Sequence, residues 1–334
     1  MLPLFSMELE KMVLPATIAP PVRPLVDAQQ RRIRKLRLSV TERCNLRCTY
    51  CMPVDASFMS PKEYLTPAEY ATIVGELVEL GIESVRLTGG EPLLRPEFPE
   101  IVAAIAAVGV PELGLTTNGI RLIPFLPLLA RYGVSRLNIS LDSLNPQTFA
   151  TLTHGGHLEQ VKTAIATAVA QGFHVKLNMV VMKGINDHEL VPMVEYSKEL
   201  GIEVRFLELM RVGYACNLPQ ELFVSAAAMI TRLRQHYELH PVSRPQDSTS
   251  FNFVTPCGAK IGFIASESQP FCGHCSRWRL SADGVLRACL FKEAGVSLRG
   301  LGKEARLAAY KQVLGMKPPV RSREVHHPMY KIGG

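Results

Sequence analysis

Six of the eight cysteines in this chain fall into two short groups that lie far apart in the sequence. The first group is a C-x3-C-x2-C and the second a C-x2-C-x13-C, formed by Cys44, Cys48 and Cys51 and by Cys272, Cys275 and Cys289. Thiolates at such spacings present several soft ligands to one zinc ion or one iron–sulfur cluster. Neither group has an obvious fourth cysteine, and a cubane cluster held by three thiolates keeps one iron open for another ligand.

The first group predicts its centre more firmly than the second. Its spacing favours a metal site over coincidence. For the second group, a closed zinc site with His274 or Cys257 as the fourth ligand is an equal alternative on spacing alone. Otherwise Cys257 and Cys216 are interpreted as small, buried apolar residues.

A glycine-rich turn, Gly89-Gly90-Glu91-Pro92, is the next candidate for chemistry. Paired glycines let a ligand approach the backbone closely. The carboxylate of Glu91 can accept a hydrogen bond from the ammonium group of such a ligand. Taken alone, the sequence favours an ordinary tight turn.

Short apolar runs that alternate with amphipathic segments supply the elements that must position these residues. Strands are predicted over Leu36–Val40, Ser84–Leu87, Leu113–Thr116, Arg136–Ser140, Val175–Val181 and Glu203–Leu207. Helices are predicted over Pro67–Leu80, Glu97–Val108, Pro124–Tyr132, Leu158–Gln171 and Asp187–Leu200. This alternation predicts an α/β fold with a parallel sheet. The polar motifs follow the strands directly, so one cavity at the carboxyl ends of the strands is expected to collect them.

The two ends of the chain differ from the central part in their predicted structure. Residues 1–32 are rich in proline and end in a basic run, which predicts a flexible leader. A first domain is predicted over residues 33–220 and a second over 221–334. The second contains a helix over Ser225–Tyr237, an irregular polar stretch over Pro241–Thr255 and a strand over Lys260–Ala265. On physical grounds alone the last residues predict a frayed terminus.

The first cysteine group, with Tyr50 before its last cysteine and the Gly-Gly-Glu-Pro turn downstream, resembles the radical S-adenosylmethionine enzymes. That resemblance implies a partial (β/α)6 TIM-type barrel, here with a C-terminal cluster-binding extension. It also implies a [4Fe–4S] cluster that reductively cleaves S-adenosylmethionine to a 5′-deoxyadenosyl radical, which then abstracts hydrogen from the substrate.

Four further segments resemble the GTP 3′,8-cyclase family of molybdenum cofactor biosynthesis, namely Phe271–Phe291, Arg86–Pro92, Leu115–Gly119 and Ile332–Gly334. The resemblance implies that GTP becomes (8S)-3′,8-cyclo-7,8-dihydroguanosine 5′-triphosphate, the first step towards molybdopterin. Hydrogen leaves C3′ of the ribose, and C3′ then bonds to C8 of guanine. Another twin-cluster radical enzyme, one that matures peptides, is the alternative.

The resemblance also assigns roles to residues. Both cysteine groups would hold [4Fe–4S] clusters, and the open iron of the second would bind guanine. Contacts to S-adenosylmethionine are implied for Tyr50, Gly90, Glu91, Ser140 and Met210. Contacts to GTP are implied for Arg37, Arg86, Thr117, Lys176, Arg277 and Arg279. Catalytic roles are implied for Arg277, Arg279 and the terminal Gly333 and Gly334, which would reach into the active site and not fray.

Charge and composition agree with a polyanionic small molecule. The chain has 37 Lys and Arg against 30 Asp and Glu, a net charge of +7. Arginine binds phosphate oxygens in a bidentate manner, and Arg277 and Arg279 would share one face of a strand. Aromatic residues make up only 7% of the chain, which argues against a nucleic-acid partner.

The setting and partners follow from the same reasoning. The longest apolar run is too short to span a bilayer, and free cysteines indicate a reducing, cytoplasmic compartment. The resemblance implies a reductant such as flavodoxin or ferredoxin and contact with the downstream cyclic pyranopterin monophosphate synthase. The protein is expected to be a monomer or a homodimer.

Overall fold

The computed structural model describes residues 24–321 and 324–333 of the chain. The predictions for residues 1–23 and for Gly334 lie outside the described residues. Six parallel strands stand side by side in chain order: β1 (Lys35–Ser39), β2 (Ser84–Thr88), β3 (Glu112–Thr117), β4 (Val134–Ser140), β5 (His174–Val181) and β6 (Glu203–Glu208). Every strand predicted in the first domain is therefore confirmed to within two residues.

Helices connect these strands on the outside of the sheet. They are α1 (Pro67–Glu79), α2 (Phe98–Ala107), α3 (Leu126–Arg131), α4 (Pro146–Thr153), α5 (Leu158–Ala170) and α6 (Leu190–Glu199). Thr66 begins α1 with a capping box, since its hydroxyl accepts from the Glu69 N–H and the Glu69 carboxylate accepts from the Thr66 N–H. The alternation of strands and helices gives the α/β partial barrel that the sequence predicts.

The two faces of each strand differ in polarity, and this difference creates the site. Residues such as Leu38, Leu87 and Leu177 face the helices and are fully buried in the main apolar core. The alternate residues face the barrel interior, where Arg37 of β1 and Arg86 of β2 are in register. Because side chains alternate along a strand, the same strands hold an apolar core outside and a polar cavity inside.

Strands from the C-terminal part extend this sheet at both ends. At one end β9 (Lys260–Ile264) pairs parallel to β6 and is followed by β8 (Phe251–Val254) and β7 (His240–Val242). At the other end β10 (Arg277–Leu280) pairs parallel to β1 and is followed by β11 (Val285–Arg287) and β12 (Val296–Ser297). The sheet of the described residues therefore has twelve strands, and the cluster-binding extension forms part of the barrel wall.

The helices α7 (Ala226–Leu233) and α8 (Lys303–Gly315) complete the fold. The structure confirms the predicted helix after Ser225 and the predicted strand at Lys260. The prediction of an irregular stretch over Pro241–Thr255 is wrong, because β7 and β8 both lie partly or wholly within it. These strands have only three and four residues and lie at a sheet edge, so their sequence is too short to show the apolar pattern of the central strands. The boundary predicted at residue 220 stays a prediction.

The described end of the leader is packed against the barrel, and this corrects the prediction of a flexible segment for residues 24–32. Leu25 and Arg31 are buried, and the Leu25 N–H donates to the Leu80 carbonyl at 3.3 Å. Arg32 and Arg34 pair with Glu83. The basic run is therefore a set of docking contacts, which composition alone does not reveal.

None of the helices in residues 24–321 and 324–333 is long and apolar enough to cross a bilayer.

Candidate active site

Both cysteine groups border one cavity inside the barrel. Its volume is about 260 Å³. Fourteen of the predicted site residues line it: Arg37, Cys44, Cys48, Tyr50, Cys51, Gly90, Thr117, Ser140, Met210, Cys272, Cys275, Arg277, Arg279 and Cys289. The structure thus brings together residues from the loops after β1 to β4 and β6 with residues of the extension. Of the other five predicted site residues, Arg86, Glu91, Lys176 and Gly333 do not line it, and Gly334 lies outside the described residues.

The first cysteine group lies in a loop that leaves the carboxyl end of β1. A tight turn forms within it, where the Cys51 N–H donates to the Cys48 carbonyl at 2.8 Å. Burial raises the pKa of the Cys44 thiol to about 11 and that of Cys51 to about 12, and the nearby carboxylates of Glu91 and Asp142 add to this. These thiols are therefore in an environment that disfavours free negative charge.

Asp142 was not singled out in the sequence, although it lies in the polar segment after β4. Its carboxylate accepts a hydrogen bond from the Tyr50 hydroxyl at 2.7 Å and another from the Val180 N–H at 2.8 Å. Burial raises the pKa of Asp142 to about 6. Asp142 thereby fixes the ring of Tyr50 beside the cysteines, and it also lines the cavity.

The glycine turn lies against the loop that carries the first cysteines. A Cβ atom on Gly90 would stand 2.4 Å from the carbonyl oxygens of Glu42 and Arg43, and one on Gly89 would stand 2.4 Å from the carbonyl oxygen of Thr41. Side chains at either position would displace the cysteine loop, so both glycines are required by close packing.

The Glu91 side chain is held by donors from its own turn and from the loop after β3. Its carboxylate is fully buried and accepts from Leu93 N–H at 3.1 Å, Thr117 Oγ1–H at 2.8 Å and Asn118 N–H at 2.7 Å. Burial raises the pKa of Glu91 to about 7 despite these donors. A carboxylate with three internal donors joins the turn to the loop after β3, and the contact of Glu91 with S-adenosylmethionine stays a prediction.

The second cysteine group lies between β9 and the end of β11 in a cationic environment. Burial raises the pKa of Cys275, but Arg277 and Lys317 outweigh burial and lower it to about 6. The guanidinium of Arg277 donates to the Cys275 sulfur at 3.6 Å and also stacks over the ring of Phe271. A thiolate is therefore the stable form of Cys275 near neutral pH.

The two residues predicted as a possible fourth zinc ligand of the second group lie away from the cavity. His274 and Cys257 are both exposed and neither lines it. Cys257 lies beside Thr255, 3.1 Å from its hydroxyl, so its interpretation as a buried apolar residue is wrong, whereas Cys216 is buried as predicted. Whether the second group holds zinc or a cluster stays a prediction.

Arginines from three neighbouring strands form a row across the barrel interior. Arg279 of β10 is in register with Arg37 of β1, which is in register with Arg86 of β2. Burial and the mutual repulsion of these arginines lower the pKa of Arg37, while burial lowers those of Arg86 and Arg279 to about 10. Adjacent like charges destabilise a sheet. None of the three forms an ion pair with any described residue within 4.0 Å, so the row is arranged to receive an anion.

A second cavity, of about 420 Å³, opens at the amino ends of the strands. Arg37, Arg205 and Arg277 line both cavities, so the two spaces adjoin. The predicted residues Arg86 and Lys176 belong to this second space, and Lys176 is paired with Glu203 at 2.9 Å. Seven Lys and Arg side chains line it against a single carboxylate, that of Glu112.

Sequence reasoning missed Arg205 of β6. It is nearly buried, donates to Asn138 Oδ1 at 2.8 Å and is 3.3 Å from Glu203. A Cβ atom on Gly262 would lie 2.8 Å from its side chain, so Gly262 of β9 leaves room for Arg205. A charged residue in the middle of an apolar strand was the available signal for this position.

The C-terminal tail enters the barrel. Ile332 is buried, and Gly333 has a φ of 70° with its Cα beside Ser39 and Thr88. The Arg279 guanidinium donates to the Gly333 carbonyl. Upstream, the Gly213 N–H donates to Val325 at 2.7 Å, which anchors the tail to the loop after β6. Frayed ends do not make such contacts, so the expectation from physics alone is wrong for residues 324–333.

Trp278 packs in the core and is fully buried on the helix-facing side of β10.

Comparison with families of known proteins agrees with both halves of the site. Residues 38–197 match the Radical SAM superfamily, and residues 202–321 match the family described as Molybdenum Cofactor Synthesis C. The chain is 53% identical to the GTP 3′,8-cyclase of Synechocystis sp. over 315 residues, which are 94% of this chain and 96% of that protein. It is 40% identical to the GTP 3′,8-cyclase of Aquifex aeolicus over 279 residues, 82% of this chain and 87% of that protein.

Solved structures share the fold at low sequence identity. Streptococcus suis SuiB bound to its precursor peptide SuiA matches with a TM-score of 0.64 at 13% identity, over 85% of this chain and 66% of that one. At that identity the match shows only that the two proteins share this fold.

Proposed function

Because this chain belongs to the GTP 3′,8-cyclase family within the radical S-adenosylmethionine superfamily, we propose that it converts GTP to (8S)-3′,8-cyclo-7,8-dihydroguanosine 5′-triphosphate in molybdenum cofactor biosynthesis. The observation that carries the proposal is a single cavity bordered by two three-cysteine groups and by arginines that lack carboxylate partners. S-adenosylmethionine and its cluster belong at the first group, and the substrate belongs between the second group and the arginine row.

The residues around the first group bind and orient S-adenosylmethionine. Cys44, Cys48 and Cys51 hold the [4Fe–4S] cluster, and Gly90 lets the ligand approach the backbone. Tyr50, Ser140 and Met210 line the remaining wall. When bound, the cluster and S-adenosylmethionine supply the one-electron chemistry that removes hydrogen from C3′ of the ribose, after which C3′ bonds to C8 of guanine.

The triphosphate lies along the arginine row and extends towards the second cavity. The Arg37 side chain makes no hydrogen bond or ion pair with any described residue, and a guanidinium in that state is stabilised strongly by a phosphate oxygen. Arg86, Lys176 and Arg205 continue the positive charge at the amino ends of the strands. Thr117 is held by Glu91 and keeps the loop after β3 in place.

Cys272, Cys275 and Cys289 would hold a second [4Fe–4S] cluster, and this cluster would bind the guanine base. Arg277 and Arg279 of β10 line the same cavity and would contact the triphosphate. The Gly333 carbonyl fixes Arg279, and the tail closes this side of the barrel. A catalytic role for the terminal Gly333 and Gly334 stays part of the proposal.

The peptide-maturing alternative is not favoured. The structural match to SuiB is at 13% identity, whereas the GTP 3′,8-cyclases match at 53% and 40% over most of the chain. A peptide substrate also gives no reason for a row of unpaired arginines inside the barrel. We further propose a flavodoxin- or ferredoxin-type reductant, hand-over of product to cyclic pyranopterin monophosphate synthase, and a reducing cytoplasmic setting. Monomer and homodimer both stay open.

Anaerobic reconstitution tests the proposal. The protein is expected to bind iron and sulfide for two [4Fe–4S] clusters, with matching EPR signals. Incubation with GTP, S-adenosylmethionine and dithionite should then give 5′-deoxyadenosine and the cyclised nucleotide by mass spectrometry. Stoichiometric zinc without iron, or no 5′-deoxyadenosine in the presence of GTP, would contradict it.

A further inference from the structure

Two buried cations that line neither cavity contact the segments that carry the second cysteine group. They are Arg31, from the end of the leader, and Lys317, which follows α8. Both residues are only 5% exposed. Burial of two positive charges is costly unless each donor finds an acceptor. The acceptors they use identify their role.

All three donors of the Lys317 ammonium group are used. Its Nζ donates to the Cys275 sulfur at 3.4 Å, to the Arg277 carbonyl at 2.9 Å and to the Ala288 carbonyl at 3.1 Å. Ala288 directly precedes Cys289. One ammonium group therefore joins the segment of the second cysteine to the segment of the third.

Arg31 makes the corresponding connection to the first cysteine of the group. Its Nη1 donates to the Cys272 carbonyl at 2.9 Å and to the Pro318 carbonyl at 2.8 Å, and its Nη2 donates to the Lys317 carbonyl at 3.2 Å. Asp27 holds the guanidinium through Nε at 2.6 Å. Arg31 and Lys317 together, here called the Arg31–Lys317 bracket, connect all three cysteine segments.

The first cysteine group differs at its sulfurs. Arg47, which is half-buried, donates to the Cys44 carbonyl at 2.7 Å, but within the described residues the donors to the Cys44 sulfur are the neutral Leu46 N–H at 3.4 Å and Asn118 Nδ2 at 3.9 Å. Hydrogen bonds to cluster sulfurs and nearby charge are two of the factors that set the reduction potential of an iron–sulfur cluster. A fixed ammonium group on a ligand sulfur stabilises the more negative, reduced state, and residues beyond the ligands orient the ligands themselves.

We propose that Arg31 and Lys317 are positioning residues of the second iron–sulfur site, with Lys317 orienting Cys275 and raising the reduction potential of the cluster, and Arg31 keeping Cys272 in place. This inference rests on the proposed function in so far as the second group must hold a cluster.

The experiment isolates the second cluster within the full-length chain. In a background of Cys44→Ala, Cys48→Ala and Cys51→Ala, the reconstituted protein is titrated with a reductant while EPR follows the remaining cluster. Lys317→Met keeps the aliphatic stem and removes the charge, so the midpoint potential should move to a more negative value. Lys317→Arg should retain most of the original potential. Lys311→Met, on the exposed side of α8, is the matched control and should change nothing.

A second readout covers a failure to fold. Arg31→Gln should release iron from the second cluster to a chelator several-fold faster, with far-UV circular dichroism unchanged. Lys317→Met is also made in a chain that keeps Cys44, Cys48 and Cys51. Loss of the second cluster there, while the first cluster is retained, would also support a positioning role. Full iron content with unchanged potential in Lys317→Met and unchanged iron release in Arg31→Gln would overturn it. A background protein that binds no iron at all would instead contradict the proposed function.

Discussion

The two cysteine groups share a cavity, but Cys275 of the second group lies in an electrostatic environment opposite to that of the first group, whereas burial raises the pKa of Cys272 as it does in the first group. Around the first group, burial and the carboxylates of Glu91 and Asp142 raise the pKa values of the thiols. Around the second, Arg277 and Lys317 lower the pKa of Cys275 to about 6. Both groups have three cysteines, so the number of ligands does not distinguish them.

This difference indicates a division of tasks. A site that disfavours negative charge lowers the reduction potential of a bound cluster, which suits a cluster that must give up an electron to S-adenosylmethionine. A cationic site does the reverse, and it also attracts a polyanionic substrate. The first group is therefore suited to electron transfer and the second to holding GTP.

The largest expected effect comes from removing one cysteine from each group. Cys48→Ala should lower 5′-deoxyadenosine formation by at least about 10³-fold, or about 4 kcal/mol of barrier, because the first cluster cannot form. Cys275→Ala should stop cyclisation while the first cluster and its EPR signal persist. Cys257→Ala, at an exposed cysteine outside the cavity, is the control. Equal loss of 5′-deoxyadenosine formation in Cys48→Ala and Cys275→Ala would contradict the division of tasks.

The pKa difference makes a direct chemical prediction for the apo protein. At pH 7 Cys275 is mostly thiolate, whereas Cys44, with a pKa of about 11, is thiolate in only about one molecule in 10⁴. A thiolate of low pKa is intrinsically less nucleophilic, which offsets part of this difference in thiolate fraction. Cys275 should therefore react with iodoacetamide about 10²-fold faster than Cys44. Mass spectrometry of digests taken at timed intervals measures the two alkylation rates.

The alkylation rates of the two thiols should also depend differently on pH. Alkylation of Cys275 should rise as pH increases through about 6 and then level off, whereas that of Cys44 should still be rising above pH 10. In denaturant both should react alike. Similar profiles for the two residues in the folded protein would show that the environments do not differ.

Arg277, beside the arginine row, provides a smaller effect. Arg277→Ala should weaken GTP binding by about 10- to 100-fold, in line with the loss of a charge-assisted hydrogen bond of about 1.5–3 kcal/mol. Both clusters should stay in place, as measured by iron analysis beside equilibrium binding. Arg131→Ala, on the exposed end of α3, is the matched control. Loss of the second cluster in the Arg277 variant would assign that arginine to the cluster and not to the phosphates.

The smallest expected effect comes from a substitution on the outside of the barrel, away from both cysteine groups. Thr66→Ala removes the N-cap of α1 and should lower the free energy of unfolding by about 1 kcal/mol in urea. The iron content of both groups should be unchanged, because α1 packs on the outer face of the sheet. A drop in the iron of either group would mean that the cysteine loops depend on the outer helices.

The sequence predicts the central strands and the cysteine ligands well, because each depends on local pattern. Alternating apolar residues define β1 to β6, and the cysteine spacing is read directly. It does not predict that β10 pairs with β1, since that contact joins residues such as Arg37 and Arg279 that are far apart in the chain. The arginine row and the role of Arg31 depend on this pairing.

Glu91 illustrates a second limit. The sequence places its carboxylate in a ligand-binding turn, but hydrogen bonds from Thr117 and Asn118 satisfy it internally. Which donors reach a buried carboxylate is a property of tertiary packing, and no spacing rule contains it. The same holds for Lys317, whose partners Cys275 and Ala288 lie on other segments.

The most direct test of the shared cavity uses GTP labelled with deuterium at C3′ of the ribose. Anaerobic turnover with S-adenosylmethionine should place the deuterium in 5′-deoxyadenosine, in an amount equal to the cyclised nucleotide, as measured by mass spectrometry. Unlabelled 5′-deoxyadenosine formed alongside the cyclised product would contradict the account, because the two ligands would then not meet at C3′ in one cavity.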